Sequence, residues 1–299
     1  MLELKIPATS ANIGSGFDSL GLALDLYNYV WMEEHDGLII QSMDDIVIPT
    51  DESNLIYDTA RRLYAECGRA FPGLRITQKN DIPLTRGLGS SSACIIAGLL
   101  GANTLMGGPI PQDEIIHYAC VLEGHPDNVA PALLGGLVTS ALEGKRVYYV
   151  KQEIHTGVKF AAFIPNFELS TKKARAALPE MVSHKDAVFN LSRAALASVS
   201  LYSGNLQNLR VAVDDRLHQP YRLGLIPGAD KVFDLAYELG AYGVYVSGAG
   251  PTIMAIVDSA DDLFEQRAAA LLKERGLDSY RLRIHHVDNT GATVRHIGI

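Results

Sequence analysis

The residues with the most definite chemistry lie between Pro83 and Ala93, where the sequence reads Pro-Leu-Thr-Arg-Gly-Leu-Gly-Ser-Ser-Ser-Ala. Gly87 and Gly89 carry no Cβ, so the backbone can turn tightly there and approach a ligand closely. The serines that follow stand where a helix should begin, and the first turn of a helix has unpaired amides and a positive dipole end. These features predict a loop that binds an anion, most often a phosphate.

The segment also fits a second interpretation, an ordinary turn in which Ser90 caps the helix. The chain has no Gly-x-x-x-x-Gly-Lys-Ser/Thr run, so a phosphate loop here is not the common P-loop.

Such a loop needs a strand before it and a helix after it. The alternation at 74–77 predicts the strand, and the apolar run from Cys94 to Leu100 predicts a buried helix. A first strand is predicted from Leu2, ending at Pro7. The other predicted elements are strands at 29–33, 38–40, 137–139, 147–150, 159–165, 244–246, 253–257 and 280–287, and helices at 54–68, 113–122, 231–239 and 261–275.

Length and composition limit the classes of protein to which this chain can belong. A chain of 299 residues with 47% hydrophobic and 20% charged residues can form two globular domains, which we expect at 1–152 and 153–299. The net charge of −8 disfavours nucleic acid and anionic membranes as partners. Three cysteines and an N-terminus without a signal-peptide pattern lead us to expect a cytoplasmic protein.

Three segments share one character, a strand that runs into a turn rich in glycine and serine: 7–18, 83–93 and 246–252. Together they resemble the signature of the GHMP superfamily, which comprises the galactokinases, homoserine kinases, mevalonate kinases and phosphomevalonate kinases. The segments 7–21 and 123–131 resemble its homoserine kinase branch. One departure is Gly14-Ser15-Gly16, where many members have Gly-Pro-Gly.

This resemblance implies an α+β fold with a ribosomal-S5-like N-terminal domain and a ferredoxin-like C-terminal domain. It implies ATP and Mg²⁺, transfer of phosphate to the side-chain hydroxyl of L-homoserine on the way to threonine, and a homodimer. It also implies that the loop 246–252 packs beside the phosphate loop and helps to close the cleft.

The phosphate loop supplies most of the expected nucleotide contacts. The predicted ATP-binding residues are Asn54, Pro83, Leu84, Thr85, Arg86, Gly87, Leu88, Gly89, Ser90, Ser91, Ser92, Ala93 and Thr171. The resemblance makes Glu123 a magnesium ligand, with a hydroxyl from Ser91 or Ser92, since magnesium prefers hard oxygen ligands. Asn54 could equally be a plain helix cap or an adenine contact, and the two roles are compatible.

The expected acceptor is a zwitterion that carries a hydroxyl. Its carboxylate calls for arginine, whose planar fork matches a carboxylate, and Arg175 and Arg222 are the candidates. The predicted substrate-binding residues are Asn12, Asp18, His125, Asp127, Asn128, Arg175 and Arg222. The residues expected to act in the transfer itself are Asp18, Asn128 and Arg175.

A dedicated strong base is absent from these predictions. Related kinases carry a lysine in the first motif, but the corresponding stretch here, 7–10, has none. We therefore expect the hydroxyl to lose its proton late, toward the phosphate, because a loose transition state needs little activation of the nucleophile. His125 could serve as a general base, although a lone histidine beside proline is more often structural.

Two alternatives to a homoserine kinase remain open at this level. The same fold could phosphorylate another alcohol, such as mevalonate, a sugar or an inositol. It could also bind a small molecule without turnover.

Overall fold

A computed structural model describes residues 1–298, which form two β-sheets with helices packed against them. The strands are β1 Leu2–Ala11, β2 Leu20–Glu34, β3 Gly37–Ser42, β4 Gly73–Asn80, β5 Leu137–Glu143, β6 Arg146–Gln152, β7 Val158–Pro165, β8 Gly243–Val246, β9 Ile253–Asp258, β10 Tyr280–His285 and β11 Thr293–His296. The helices are α1 Leu55–Glu66, α2 Ser90–Leu105, α3 Gln112–Glu123, α4 Pro126–Leu134, α5 Thr171–Ala176, α6 His184–Ser203, α7 Leu209–Ala212, α8 Gln219–Arg222, α9 Ala229–Glu238 and α10 Phe264–Glu274.

The first sheet has the order β11-β1-β2-β4-β3, and the hairpin β5–β6 joins it by pairing with β2. Helices α1 to α4 cover this sheet. Helix α2 lies at the centre of this layer and packs against α1, α3, α4 and the strands β1 and β2. Because α2 is surrounded on all sides, its sequence is apolar all round rather than amphipathic.

Strand β1 is longer than its sequence predicts. It continues through Pro7 to Ala11, and its pairing with β2 shifts register between Pro7 and Ala8. The second neighbour, β11, pairs only with residues 2–5 of β1, so the missing amide of Pro7 falls where β1 has a free edge. The prediction that the strand ends at Pro7 was therefore wrong, and the extension carries residues 8–11 into the site.

The second sheet has the order β10-β7-β9-β8. Helices α9 and α10 cover it and enclose a separate apolar cluster, which contains Phe163, Val232, Ile253 and Phe264. The predicted strands and helices of this half all appear, with ends that differ by a few residues.

The last strand, β11, lies in the first sheet, where Leu2 pairs with His296. The domain boundary near residue 152 stays a prediction. Within residues 1–298, no helix combines the length and the apolar content that crossing a bilayer requires.

Candidate active site

A cavity of about 330 Å³ lies between the two sheets. The ends of β1 and α3, the segment 84–91, helix α5 and the loop after β8 line it. Of the predicted site residues, four do not reach its wall; these are Asn54, Pro83, Ser92 and Ala93.

The predicted phosphate loop forms the floor of one end of the cavity. Gly87 and Gly89 have φ angles of 72° and 71°, in the left-handed region that favours glycine. Gly89 is the N-cap of α2, and no side chain caps this helix. Ser90 instead has its hydroxyl 3.2 Å from Asn80 Nδ2, so the interpretation of Ser90 as a cap was wrong. The first-turn amides of α2 are left for a ligand.

The loop after β8 holds the phosphate loop in place. Ser247 Oγ donates a 2.6 Å hydrogen bond to the carbonyl of Gly87, and the amide of Thr252 donates to the carbonyl of Arg86 at 3.3 Å. A Cβ on Gly87 would stand 2.3 Å from the carbonyl oxygen of Ser247. The expected packing of these two loops is therefore confirmed, and it is too close for any side chain at Gly87.

Arg86 fastens the phosphate loop to the second sheet. Its Nε donates to the carbonyl of Pro165 at 3.1 Å, and its Nη2 donates to that of Asn166 at 3.1 Å. Most of the N–H donors of this arginine are therefore hydrogen-bonded to backbone carbonyls, although its side chain still lines the cavity.

Glu123, at the end of α3, faces the start of α2. Its carboxylate accepts hydrogen bonds from Ser92 Oγ at 2.9 Å and Ser91 Oγ at 3.3 Å. Ser92 is fully buried, whereas Ser91 is exposed and lines the cavity with Glu123. Ser91 and Glu123 thus present two hard oxygens beside the predicted phosphate site, a donor set that suits magnesium. Ser92 fixes the position of the carboxylate.

Asn54 acts as the N-cap of α1. Its side-chain oxygen accepts from the amides of Ile56 and Tyr57, and its Nδ2 donates to the carbonyl of Pro49 at 2.9 Å. With the oxygen engaged twice, the carboxamide has little left for an adenine edge, and Leu55 lines the cavity in its place. The adenine contact stays a prediction.

Asp18 and Arg175 form a two-pronged ion pair at the other end of the cavity. Arg175 Nη2 and Nη1 donate to the two carboxylate oxygens at 2.8 and 3.1 Å. Burial alone would lower the pKa of Arg175, but the hydrogen bonds and charge of Asp18 raise it. Asn12 supports this corner, because its Oδ1 accepts from the amide of Asp18 and its Nδ2 donates to the carbonyl of Gly248.

His125 and Asp127 stand beside Asp18. The ligand atoms of these three side chains all lie within 4.8 Å of one another. His125 Nδ1 is hydrogen-bonded to Asp127, which is 1% exposed. Burial would lower the pKa of His125, but the hydrogen bond and charge of Asp127 outweigh burial and raise it. His125 is therefore held in a fixed orientation by Asp127 through its Nδ1 atom.

Asn128 is held in place by a residue of the first sheet, Thr9 in β1. Its Oδ1 accepts a 2.8 Å hydrogen bond from Thr9 Oγ1, which leaves the Nδ2 end 3.4 Å from Asp127. Thr9 also stands against the phosphate loop, since a Cβ on Gly89 would be 1.9 Å from Thr9 Oγ1. This threonine connects the two ends of the cavity.

Arg222 reaches the cavity from a buried position. Its side chain is among the largest fully buried ones, and Nη1 contacts His218 Nδ1 at 3.1 Å and the carbonyl of Gly248 at 2.9 Å. Within residues 1–298, its buried Nε has no hydrogen-bond partner. Burial and the nearby charge of Arg175 lower the pKa of Arg222 to about 10. Both guanidiniums lie over the ring of Phe17, at 5.3 and 5.7 Å.

His218 orients Arg222, and the sequence analysis missed it. His218 Nε2 lies 2.7 Å from the carbonyl of Gly14 and must donate to it, so Nδ1 is the acceptor for Arg222. The ring stacks on Phe17 at 5.1 Å. The spacing of His218 and Arg222, four residues apart, was an available signal, because residues i and i+4 share a helix face.

Comparisons with known proteins fit this cleft. The family model described as "GHMP kinases N terminal domain" matches residues 54–136, and "GHMP kinases C terminal" matches residues 194–273. The fold and the Gly/Ser loop define a small-molecule kinase of this class. L. major mevalonate kinase in complex with R-mevalonate shares the fold at 14% identity, with a TM-score of 0.73 over 96% of each chain.

More similar proteins narrow the family. A homoserine kinase of Caldicellulosiruptor bescii is 48% identical over 297 residues, which cover 98% of this chain and 97% of that protein. One from Clostridium beijerinckii is 46% identical over 98% of both chains. The crystal structure of homoserine kinase from Cytophaga hutchinsonii has a TM-score of 0.85 at 29% identity, covering 98% of this chain and 97% of that one. This chain belongs to the homoserine kinases of the GHMP kinase family.

Proposed function

We propose that this protein transfers the γ-phosphate of ATP to the side-chain hydroxyl of L-homoserine and forms O-phospho-L-homoserine for threonine synthesis. One structural observation supports the proposal independently of family membership. A single cavity joins a loop of free amides at one end to two arginines and two aspartates at the other. This arrangement suits a nucleotide phosphate opposite a zwitterionic amino acid.

Arg175 and Arg222 are the proposed partners of the homoserine carboxylate. Their guanidiniums share the ring of Phe17, so they lie close enough to serve one small anion. The unpaired Nε of Arg222 supports this role, because a buried donor without a partner costs free energy until a ligand accepts from it.

Asp18 and Asp127 are the proposed partners of the ammonium group. In the free protein Asp18 is occupied by Arg175. A zwitterion can separate this pair, since its carboxylate replaces Asp18 on the arginine and its ammonium replaces the arginine on Asp18. The exchange keeps every charge paired, so binding need not leave an isolated charge in the cavity.

The hydroxyl is proposed to lie near Asn128 and Asp18, aligned with the phosphate loop. In the transfer a bond forms between the hydroxyl oxygen and the γ-phosphorus while the bond from that phosphorus to the β,γ-bridging oxygen breaks. The hydroxyl proton passes late to an oxygen of the transferred phosphate. Such a loose transfer depends mainly on alignment and charge neutralisation.

Glu123 and Ser91 are the proposed holders of Mg²⁺. A magnesium ion bound there would neutralise charge on the nucleotide phosphates. The protein's own contribution is the rigid placement of the carboxylate, which Ser92 provides through its 2.9 Å hydrogen bond.

We also infer a cytoplasmic location. Cys67, Cys94 and Cys120 are unpaired thiols, which fits a reducing compartment. Burial raises the pKa of Cys94 and of Cys120 to about 11, so both thiols stay protonated and inert near neutral pH.

An ADP-release assay with Mg²⁺ and a panel of alcohols tests the function. The panel comprises L-homoserine, L-serine, L-threonine, mevalonate, galactose and myo-inositol. Turnover with L-homoserine far above the others is the expected result. A preference for another alcohol would reassign the acceptor, and ATP binding without any turnover would remove the kinase assignment.

A further inference from the structure

A second cavity lies beside the candidate active site, at the end of β7. It has a volume of about 250 Å³, and residues of β7, of β10 and of the segment that leads into the phosphate loop line it. Arg86 lines both cavities. Pro83, which does not reach the active-site cavity, lines this one. The second cavity is therefore a separate space that meets the active site at Arg86.

The wall of the second cavity is positively charged. Three arginines line it, namely Arg86, Arg281 and Arg283, and among residues 1–298 no aspartate or glutamate does. Glu168, which is exposed to solvent, forms an ion pair with Arg86 at 3.5 Å. In a chain with a net charge of −8, a group of arginines that carboxylates do not neutralise attracts anions from solution.

Arg281 and Arg283 are exposed and have no partner within residues 1–298. Neither makes a hydrogen bond or an ion pair, and neither lies over an aromatic ring. Every other arginine except Arg69 has a partner of one of these kinds. Two of the three arginines without a partner therefore line the same cavity.

Strand β10 fixes the direction of these two arginines. Tyr280, Leu282 and Ile284 belong to the apolar cluster beneath α9 and α10. Because side chains alternate along a strand, Arg281 and Arg283 extend from the opposite face of the sheet, about 7 Å apart along β10. Two long side chains at this separation can reach one phosphate group.

A second interpretation is that these charges only protect an edge strand. β10 is at the edge of its sheet, and charged side chains on edge strands prevent pairing with another chain. Edge protection needs neither a cavity nor apolar surface beside the charges. Both are present here, since Pro83, Ile164 and Pro165 line the cavity with the arginines.

The groups in the wall define the chemistry of the ligand. The planar fork of arginine matches a phosphate in paired hydrogen bonds, and two arginines balance the two negative charges of a phosphate monoester. The apolar residues suit a small carbon body attached to that phosphate. A volume of about 250 Å³ is just below the range of about 300–1,000 Å³ that is usual for small-molecule sites. The cavity therefore suits a small organic phosphate rather than a nucleotide or a peptide.

We propose that this cavity is a second ligand site, which binds a small organic phosphate. The phosphate lies between Arg281 and Arg283. The carbon body lies against Pro83, Ile164 and Pro165. This inference concerns a ligand other than ATP and does not depend on the identity of the acceptor.

Occupancy of the site acts on the phosphate loop through Arg86. This arginine donates to the carbonyls of Pro165 and Asn166, and all three residues line the second cavity. A bound phosphate competes with these carbonyls for Arg86 and adds negative charge close to the phosphate loop. Both effects disfavour ATP, so the ligand raises the KM for ATP.

Calorimetric titration with phenyl phosphate tests the site in the full-length chain. Saturating Mg²⁺, ADP and L-homoserine are present throughout, so that the probe does not enter the active-site cavity. The wild type is expected to bind phenyl phosphate with a Kd below about 1 mM. Arg281→Gln/Arg283→Gln is expected to weaken binding at least about 10-fold, because hydrogen bonds to a charged group are lost.

Arg69→Gln/Arg146→Gln is the matched control. It removes the same charge from two exposed arginines that do not line the cavity, and it should bind phenyl phosphate as the wild type does. Unchanged turnover of ATP with L-homoserine shows that both double variants are folded. No binding by the wild type at several millimolar would overturn the proposal and leave edge protection. Equal binding by Arg281→Gln/Arg283→Gln and the wild type would overturn it too.

Two further probes separate the parts of the ligand. Inorganic phosphate lacks the carbon body, and phenol lacks the charge, so both should bind more weakly than phenyl phosphate. Inorganic phosphate that binds as tightly as phenyl phosphate would contradict the apolar part of the site. Phenol that does so would contradict the role of the arginines.

Steady-state kinetics test the coupling to ATP. Saturating phenyl phosphate should raise the KM for ATP about 5-fold in the wild type and leave it unchanged in Arg281→Gln/Arg283→Gln. An equal rise in both proteins would place the probe in the active site and overturn the coupling. So would binding to the wild type without any change in the KM.

Discussion

The two ends of the cleft are built in different ways. At the phosphate end, the groups that face the ligand are backbone amides from one continuous segment, whose shape depends on Gly87 and Gly89. At the acceptor end, they are side chains such as Asp18, Asp127 and Arg222, which are more than 90 residues apart in sequence. The first end is local in sequence, and the second exists only when the whole chain is folded.

This difference implies different sensitivities to mutation. A site made of backbone amides tolerates the exchange of side chains, but it does not tolerate a change of backbone conformation or the addition of atoms where the backbone is tightly packed. Substitution of its glycines is therefore expected to be the most damaging change. A side-chain cluster keeps its shape when one member changes, but it loses the charge or the direction that this member supplied. The predictions below test this contrast.

The largest effect is expected from Gly87→Ala. The new Cβ would meet the carbonyl oxygens of Ser247 and Gly250 at 2.3 and 2.8 Å, and both are backbone atoms that cannot move independently. We expect kcat/KM to fall at least about 1,000-fold, because the amides that position the phosphates are displaced. Steady-state kinetics and ATP titration measure this loss.

Gly68→Ala is the control for backbone strain. Gly68 has a φ of 63°, but a Cβ there meets nothing within 4 Å. It should cost about 1–2 kcal/mol of stability and leave activity unchanged. Equal loss of activity in both variants would show that strain, rather than the contact between the two loops, controls the cradle.

Asp18→Asn is expected to act on the acceptor end alone. The variant keeps the shape of the side chain and loses the charge that pairs with Arg175 and with the incoming ammonium. The KM for homoserine should rise about 100-fold and kcat should fall less than about 10-fold, with little change in the KM for ATP. A collapse of kcat at an unchanged KM would instead make Asp18 a participant in the chemical step.

His218 offers a matched pair of variants, because its two ring nitrogens have different partners. His218→Asn keeps an acceptor near the Nδ1 position for Arg222, whereas His218→Gln keeps a donor near the Nε2 position for the carbonyl of Gly14. Misdirection of Arg222 should raise the KM for homoserine about 10-fold or more in the Gln variant, and less in the Asn variant. The KM for ATP serves as the internal control. Equal effects on both substrates would indicate a purely structural histidine.

The smallest effect concerns the ion pair of His125 and Asp127. The pKa of His125 is raised in the folded protein, so this pair stabilises the fold fully below the unfolded pKa of 6.5, and the contribution is lost as pH rises through the folded value. The difference in unfolding free energy between the wild type and His125→Gln should therefore shrink as the pH rises. Urea unfolding at pH 6 and pH 9 measures it, and a difference that grows with pH would contradict the assignment.

The same contrast explains what the sequence could predict. The glycines, serines and apolar run at 83–100 specify a strand, a turn and a buried helix within a few residues, and the phosphate loop was predicted on that basis. Helix α4 was not predicted, because Pro131 lies inside it and suggests a break. In the structure, α4 begins with Pro126 at its first turn and is buried along its length.

The acceptor end was predicted only through family resemblance, and its supporting groups were missed. No local pattern indicates that Thr9 contacts Asn128 across 119 positions, or that His218 contacts Gly14 across 204. Strand β11 was not predicted for the same reason. Its four residues form a strand by pairing with β1, almost 300 positions earlier in the sequence. Long-range pairing is decided by tertiary packing, which local propensity does not encode.

The pairing of β11 with β1 sets the chain's two ends side by side, with Leu2 opposite His296. The second sheet is consequently an insertion into the first, and the chain passes between their strands twice, after β6 and after β10. Besides these two crossings, hydrogen bonds between Ser10 and Ser247 and from Asn12 to the carbonyl of Gly248 join the two sheets, so the wall of the cavity is braced from both sides.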